Sequence, residues 1–484
     1  MIGISAYGGY IPRMRMQRAE IAKANAWLNP SLRGQAKGER SLANWDEDCV
    51  TMAVEAARDC LAGLGGAEVD GLYFASTSMP FADRLNAGIV AGALSLSEQI
   101  AAFDLGSCQR VGLSALSAAL TAVEAGRQKT ALVASAERRT GPAGSVAEIS
   151  RGDAAAALVV SRDRVIAEYL GSVVQTVDFV DHYRAAGADF DYDWEERWVR
   201  EEGYLKIVPP VLKRLLVEQG VSAEEVSHFI FPSPGNTAAA LAKTLKINPE
   251  AVTDNLQARC GDSGPVHPLL MLSHVLETAQ PGQLILVAAF GQGCEAMLLR
   301  VTEEVANFRP QRGVSGYLEQ GVEESQYMKL LVFNRLVPYD KGMRAEFDRK
   351  AIISLMHRKR DFLEGFVGGK CEACGTVQIP RTRSCVGCGA FDTQQPHAFA
   401  DDLGTVMSCS SDFLAYTVDP PHTMGIVQFA SGGRMIMDMT DVRSGEIEVG
   451  ASVRLVFRIK DYDDQRNFRR YFWKAMPALT SSNS

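Results

Sequence analysis

A chain of 484 residues with 46% apolar and 22% charged residues has the make-up of a globular protein of two to four domains. A formal net charge of −8 excludes the basic footprint of a nucleic-acid binder, and no apolar run reaches membrane-spanning length. Of ten cysteines, four stand in Cys-x-x-Cys pairs and six are scattered, which points to metal ligation in a reducing, cytoplasmic compartment and away from a disulfide framework.

Residues 1–12 read as a first strand and turn, not as a signal peptide. Residues 13–45 are polar and irregular. A helix is expected from Asp46-Glu-Asp-Cys-Val-Thr-Met-Ala-Val-Glu-Ala-Ala-Arg, where acids lead and apolar residues recur at helical spacing. Residues 70–76 form a short buried strand and residues 85–96 a helix. The run Ala101-Ala-Phe-Asp-Leu then meets a small-residue turn, Gly106-Ser107-Cys108, followed by a helix to about Arg127 with Ala, Leu, Ser and Gly on every face. A helix apolar all round is buried in a large core. Cys108 is therefore expected in a strand-to-helix turn, where free N–H groups and the helix dipole favour thiolate and hold a developing oxyanion. The alternative on these residues alone is an inert core thiol.

Strands are expected at 129–136 and 154–160, and the alternation implies an α/β domain. The next stretch repeats the order. Residues 201–218 form a helix interrupted by Pro209-Pro210, 228–231 a strand and 237–245 a helix. The turn Cys260-Gly-Asp-Ser-Gly-Pro-Val-His267-Pro268 then opens another helix, followed by a strand at 283–290, Gly291-Gln-Gly293, and a last strand at 295–301. Two α/β halves, 1–165 and 166–305, follow from this, with Cys108 and His267 beginning equivalent helices that face one pocket. Residues 306–360 read as a linker with a helix and a basic stretch that includes Arg349, Lys350, Arg358 and Lys359, either a solvated face or a patch for phosphates. In 361–392, Cys371-x-x-Cys374 and Cys385-x-x-Cys388 with glycine turns have the spacing for tetrahedral thiolate ligation of a structural Zn2+. In 393–484, five short strands between Gly and Asp turns read as a small barrel of oligonucleotide/oligosaccharide-binding (OB) type, whose mixed charge argues against nucleic acid as ligand.

On these residues the first 305 or so positions resemble the thiolase superfamily, nearest to 3-hydroxy-3-methylglutaryl-CoA synthase and its prokaryotic relatives. The resemblance rests on Gly8-Gly-Tyr-Ile-Pro12, the 46–57 run, the Cys108 turn and Phe290-Gly-Gln-Gly293. Residues 361–478 resemble the zinc-ribbon/OB domain that accompanies many bacterial and archaeal thiolases. The resemblance implies a duplicated five-layered α-β-α-β-α core, usually dimeric, plus a zinc ribbon and a small all-β OB barrel. It implies a cysteine that takes an acyl group from a coenzyme A thioester, matched by Cys108. The matching oxyanion hole is the N–H of Cys108 with that of Gly291 or Gly293.

This chain departs from the family pattern. Thr77 stands in Ala75-Ser-Thr77-Ser78 where the synthases carry a general-acid Glu, and Phe231-Pro232-Ser-Pro234 lacks their His. His267-Pro268 is similar to the Gly-His-Pro run of thiolases, with Val266 for the Gly, which makes His267 the expected base. Asp262 falls where ketoacyl synthase III carries Asn. The second thiolase cysteine falls near Ala289, and Cys294 lies five residues on. The leading expectation is an acyl-CoA acyltransferase of thiolase type, forming or cleaving a C–C bond through a Cys108 acyl-enzyme. Two alternatives stay open: synthase-like aldol condensation of acetyl-CoA with a 3-oxoacyl-CoA, and a non-catalytic scaffold that channels ligand to a pathway partner enzyme. The expected partners are acyl-CoA substrates and a second copy of the chain, with neither nucleic acid nor membrane.

Overall fold

The computed structural model describes residues 1–66, 68–345, 349–443 and 445–478. It divides into two compact units, one of Met1–Ala43, Glu55–Ala87 and Ser97–Leu330, the other of Asn44–Val54, Gly88–Leu96 and Leu331–Ser484.

The first unit is built on nine strands: β1 (Gly3–Tyr10), β2 (Gly71–Ala75), β3 (Ala101–Leu105), β4 (Thr130–Glu137), β5 (Ala154–Ser161), β6 (Ala167–Thr176), β7 (Val226–Ile230), β8 (Leu284–Phe290) and β9 (Gly293–Val301). Their spatial order is β7-β8-β9-β6-β1-β5-β4-β2-β3. Within the sheet the halves pair through Gly3–Glu168 and Ile4–Ala167, between β1 and β6. Outward from that seam each half repeats one pattern, two antiparallel pairings and then a parallel one: β1-β5-β4-β2 in the first, β6-β9-β8-β7 in the second. The first half adds β3 in parallel. The second has at that place a single parallel bridge, Phe229–Val252. The duplication read from the order of elements is thus present, with one strand reduced to a remnant.

Apolar side chains on every face send two helices to the centre. Helix α3 (Val111–Glu124) packs on β2, β4 and β5. Helix α6 (His267–Leu276) has nine of its ten residues buried and packs on β1 and β5 of one half and on β7 and β8 of the other. It is therefore a layer between the two halves. The starts of α3 and α6 approach closely: a Cβ at Gly112 would lie 2.2 Å from the carbonyl oxygen of Pro265. Between them in sequence run α4 (Leu205–Glu218), against β6 and β9, and α5 (Thr237–Leu245). The expectation that Pro209-Pro210 interrupts α4 is corrected, since the helix runs through both. Each proline deletes one ladder hydrogen bond. The buried row Val208, Val211, Leu212, Leu215 and Leu216 holds the helix regardless. Helix α1 (Cys49–Leu61) and α2 (Asn86–Ala93) complete the set used below.

Helix α1 starts at Cys49 and not at Asp46. Asp48 caps it, its Oδ1 accepting the N–H groups of Val50 and Thr51. Asp46 and Glu47 are spent in the second unit on fully buried cations: Lys474 Nζ lies 2.7 Å from Asp46, and Arg458 3.0 Å from Glu47 and 2.8 Å from Asp441. Buried charges are tolerated only when paired in this way. This unit also holds a small sheet of Val367–Cys371, Val377–Gln378 and Gln394–Ala398. Beside it in sequence come five strands, β10 (Gly404–Asp412), β11 (His422–Phe429), β12 (Arg434–Asp438), β13 (Ser452–Asp463) and β14 (Phe468–Pro477), ordered β12-β11-β10-β13-β14. A bridge from Met439 to Ala475 draws the two edges together into a barrel around Phe429, Phe457 and Trp473.

Candidate active site

The chain end of β3 makes a sharp turn. Gly106 passes under the carbonyl of Ser76 and Ser107 takes a φ of 89°, a left-handed conformation that a residue with a Cβ adopts only when its surroundings impose it. Cys108 follows, half-buried, three residues ahead of α3 and not within its first turn as expected. Its carbonyl accepts the N–H of Val111. Among the described residues no protein acceptor meets the N–H groups of Cys108, Gln109 and Arg110. Three successive unpaired donors beside a thiol are placed to receive an oxyanion.

The Phe290-Gly-Gln-Gly293 loop, between β8 and β9, lies directly on this turn. A Cβ at Gly291 would sit 2.8 Å from the backbone nitrogen of Arg110 and 2.9 Å from that of Gln109, so no larger residue fits. Arg110 fastens the loop by donating from Nε to the Gly291 carbonyl at 3.0 Å. The N–H of Gly291 donates to the carbonyl of Gly293 at 3.0 Å. As the loop stands, that N–H is committed to its own turn, which leaves the Cys108 end as the donor-rich side of the expected oxyanion hole.

His267 is brought near the same helix starts but into a different environment. It is 0% exposed. Its Nδ1 accepts the backbone N–H of Ser263 at 3.0 Å, and its Nε2 donates to the carbonyl of Asn255 at 2.5 Å. These partners require a neutral ring with the proton on Nε2, and no lone pair is left over. The ring expected to serve as base is thus held between two loops in this structure. Asp262 is also turned to a local task, accepting the N–H of Gly264 at 2.9 Å.

Thr77, at the end of β2, donates its N–H to Glu137 Oε2 at 2.8 Å and receives the guanidinium of Arg184 on its carbonyl. Glu137 ends β4 in full burial. Desolvation pushes its carboxyl above the usual range, against the pull of Arg139 and of hydrogen bonds from Ser78 and Thr77. Just beyond lies a cluster of charges: Arg139, Arg151 and Arg184 converge on Asp191 at 2.5, 2.9 and 3.2 Å, and Arg151 also reaches Asp193 at 2.8 Å. Despite its burial, Asp191 is held below the usual carboxylate range by these guanidinium groups. Asp191 and Asp193 belong to a short hairpin, His182–Tyr183 paired with Tyr192–Asp193, that sequence reasoning missed. Its strands are two residues long and carry no periodicity; the dense run Asp181-His-Tyr-Arg184 was the one signal available. His182 Nε2 lies 3.1 Å from the Gln109 side-chain nitrogen, next in sequence to Cys108.

Thr77, Glu137 and Cys108 lie at the carboxyl ends of β2, β4 and β3, and the hairpin and Gly291 follow those of β6 and β8, strand ends of the kind at which α/β sheets bind ligands.

In the second unit the basic stretch divides. Arg349 and Lys350 line a cavity of about 630 Å3 together with Trp45, Tyr339, Tyr416 and Tyr462. The Arg349 guanidinium lies over the Tyr416 ring at 5.6 Å. Arg358 and Lys359 end the exposed helix Ile353–Arg358 and lie outside that lining. The four sulfurs of Cys371, Cys374, Cys385 and Cys388 all lie within 4.8 Å of one another, with Cys371–Cys388 at 3.9 Å and Cys374–Cys385 at 3.6 Å. Zn–S bonds of about 2.3 Å give a tetrahedron with edges of about 3.8 Å, so the set fits zinc and leaves no fifth position. N–H groups of Cys388 and Gly387 lower the Cys385 thiol to about 6, toward the thiolate a metal requires. Among the described residues no helix is long and apolar enough to cross a membrane.

Known proteins bear on both units. Residues 216–301 match the C-terminal model of 3-oxoacyl-[acyl-carrier-protein] synthase III. Residues 364–394 match the rubredoxin-like zinc ribbon domain of ChsH2, and residues 400–458 its C-terminal OB-fold domain. The hydroxymethylglutaryl-CoA synthase of Methanocella arvoryzae is 31% identical over 314 residues, 63% of this chain and 89% of the relative. That of Pyrobaculum aerophilum is 29% identical over 343 residues, 68% and 97% of the two chains. Among solved structures, HMG-CoA synthase complexed with CoA superposes with a TM-score of 0.61 at 19% identity, covering 72% of this chain and 94% of that one. The 3-oxoacyl-(acyl carrier protein) synthase III of Pseudomonas aeruginosa PAO1 gives 0.57 at 21%, covering 62% and 98%. A nine-stranded duplicated sheet with a cysteine turn at its carboxyl end, four clustered thiols and a five-stranded barrel agree with these matches: the chain belongs to the thiolase-like condensing enzymes, the family of the hydroxymethylglutaryl-CoA synthases, and carries ChsH2-type zinc-ribbon and OB-fold domains.

Proposed function

We propose that the protein is an acyl-CoA acyltransferase of thiolase type that forms or cleaves a C–C bond beta to a CoA thioester through an acyl group carried on Cys108. The observation that carries this reading is the Cys108 turn itself: a half-buried thiol beside three backbone donors without acceptors, at the carboxyl end of the sheet. The thiolate attacks the thioester carbonyl, the N–H groups at 108–110 receive the oxyanion, and CoA leaves as its thiol. The glycine loop, clamped by Arg110, closes the wall opposite. Gly293 then stands as the loop's remaining candidate donor beside Gly291.

Within this reading the domains run 1–165, 166–305, 306–360, 361–392 and 393–484, and the protein works in the cytoplasm. Zinc held by Cys371, Cys374, Cys385 and Cys388 supplies folding energy to the ribbon and takes no part in the chemistry. Arg349 and Lys350, with Arg358 and Lys359 beyond them, bind the CoA phosphates; the cationic, aromatic cavity around the first two supports this. A homodimer through the first unit is supported by β3, a sheet edge with Phe103 46% exposed.

Synthase-like aldol condensation is the second reading, favoured by one observation. Glu137, with its raised carboxyl, lies directly behind Thr77. Intact mass after incubation with a panel of acyl-CoAs tests both. An increment equal to the acyl group, absent in Cys108→Ala, is the expected result. Products then decide between the two: shorter acyl-CoAs from a 3-oxoacyl-CoA plus CoA, or a branched 3-hydroxy product with acetyl-CoA. No increment with any acyl-CoA returns Cys108 to the core and leaves the scaffold.

A further inference from the structure

We propose that His182, carried by the hairpin at 181–194, is the acid–base group of the Cys108 site; this rests on the acyl-enzyme reading above. The first unit holds four histidines, and three are committed elsewhere. His267 is buried with both ring nitrogens spent. His228 bonds Gln283 at 3.0 Å, at the opposite end of the strands from Cys108. His274 lies 3.2 Å from Glu277 on the far turn of α6. His182 alone of the four meets the Cys108 turn, its side chain 17% exposed and its Nε2 3.1 Å from the Gln109 amide nitrogen.

The ring has the surroundings an acid–base group needs. With the Gln109 amide donating, Nε2 is the acceptor and Nδ1 carries a proton. Nδ1 lies 3.1 Å from Asp181 Oδ1, a buried oxygen that has no hydrogen-bond partner. That carboxylate sets a negative charge beside the ring. The other charged groups nearby are committed. Arg184 and Arg139 are spent on Asp191, and Asp262 on the N–H of Gly264. Tyr204, close to both Asp181 and Asp262, is kept neutral by its burial. The hairpin is fixed at its base: Asp191 by three arginines, Asp193 by Arg151, and the carbonyl of Asp181 by the N–H of Trp194. Unlike the backbone carbonyl that holds His267, the partner of His182 is a half-buried side chain, Gln109.

The step balances without a further reactant. His182 Nε2 takes the proton from Cys108 Sγ as sulfur bonds to the thioester carbonyl carbon. When the carbon–sulfur bond to CoA breaks, the imidazolium returns that proton to the departing thiolate.

The test uses the full-length, zinc-loaded protein and two pH profiles. One follows alkylation of Cys108 by iodoacetamide, read at its peptide; the other follows acyl-enzyme formation from acetyl-CoA. Wild type should show the same pH-dependent limb in both. His182→Asn should lose that limb and slow acylation by about 10²–10⁴-fold, with added imidazole restoring part of the rate. Asp181→Asn should move the limb to lower pH, because the imidazolium loses its anion. A wild-type profile and rate in His182→Asn overturns the proposal while leaving the acyl-enzyme reading intact. Loss of the alkylation limb with no acylation in wild type has the opposite meaning: the pairing stands and the acyl-enzyme reading fails. If His182→Asn misfolds, His182→Gln, which keeps a hydrogen bond to Gln109, decides in its place.

Discussion

Cys108 and His267 stand at matching places in the two halves, each at the opening of a central helix, and their environments are opposite. Cys108 is half-buried and its turn leaves three donors unpaired. His267 is sealed, with one ring nitrogen on an N–H and the other on a carbonyl. Duplication preserves the position of a helix start because packing of α3 against α6 requires both. It does not preserve what the start does, because that depends on which loops close over it. In the first half the covering loop presents a glycine; in the second, residues 255–263 wrap the ring completely.

The contrast can be broken most sharply at the two residues themselves. Cys108→Ala should abolish acyl-enzyme formation, seen as loss of the mass increment, and leave the melting temperature near wild type. Next in size is the metal. Removing zinc with a chelator should unfold the ribbon and expose four further thiols to titration, because site formation and folding are one event. Labelling of Cys108, in the other unit, should not change. His267→Ala should act on stability and not on chemistry. It orphans the Asn255 carbonyl and the Ser263 N–H in a buried site and opens a cavity, at a cost of about 2–5 kcal/mol in denaturant melts. The folded fraction should still acylate; if it is inert at full stability, the brace is the wrong reading.

Gly291→Ala sharpens the other side. Its Cβ would press on the backbone of Gln109 and Arg110, so the loop must withdraw from the Cys108 turn. Acylation should fall by about 10²-fold, the size of a lost oxyanion contact, with a smaller change in substrate affinity. The smallest effect is electrostatic. Glu137 has a folded-state carboxyl raised by burial, so its contribution to stability is full below the unfolded value and declines as pH rises through the folded one. Relative to wild type, Glu137→Gln should gain stability with rising pH over that window. Parallel melting curves across pH 4–8 (about the range where carboxyls with raised values titrate) would remove Glu137 as a strained acid.

Much of this molecule is legible in order along the chain. Alternating buried strands and all-apolar helices mark the α/β halves, since burial of a helix needs apolar residues on every face. The two Cys-x-x-Cys knuckles announce a four-thiol cluster, since its geometry is made by residues three apart. Small residues at Gly106-Ser107 mark a tight turn before Cys108. In each case the interaction that matters lies within a few residues of the signal.

What tertiary structure alone decided are pairings across long separations. Asp46 and Glu47 read as helix-leading acids, yet their charges are answered by Arg458 and Lys474 more than four hundred residues on. Pro209-Pro210 reads as a break, and the buried face of α4 overrules it. The hairpin carrying His182 has too few residues for any pattern; arginines from the segments just after β4 and just before β5 hold it. The sequence by itself determined the elements, their duplicated order and the cysteine cluster, because these are set by local periodicity and spacing. Which histidine lies beside the residue after Cys108 was decided only in the fold, where a carbonyl from residue 255 takes up one ring and Gln109 meets the other.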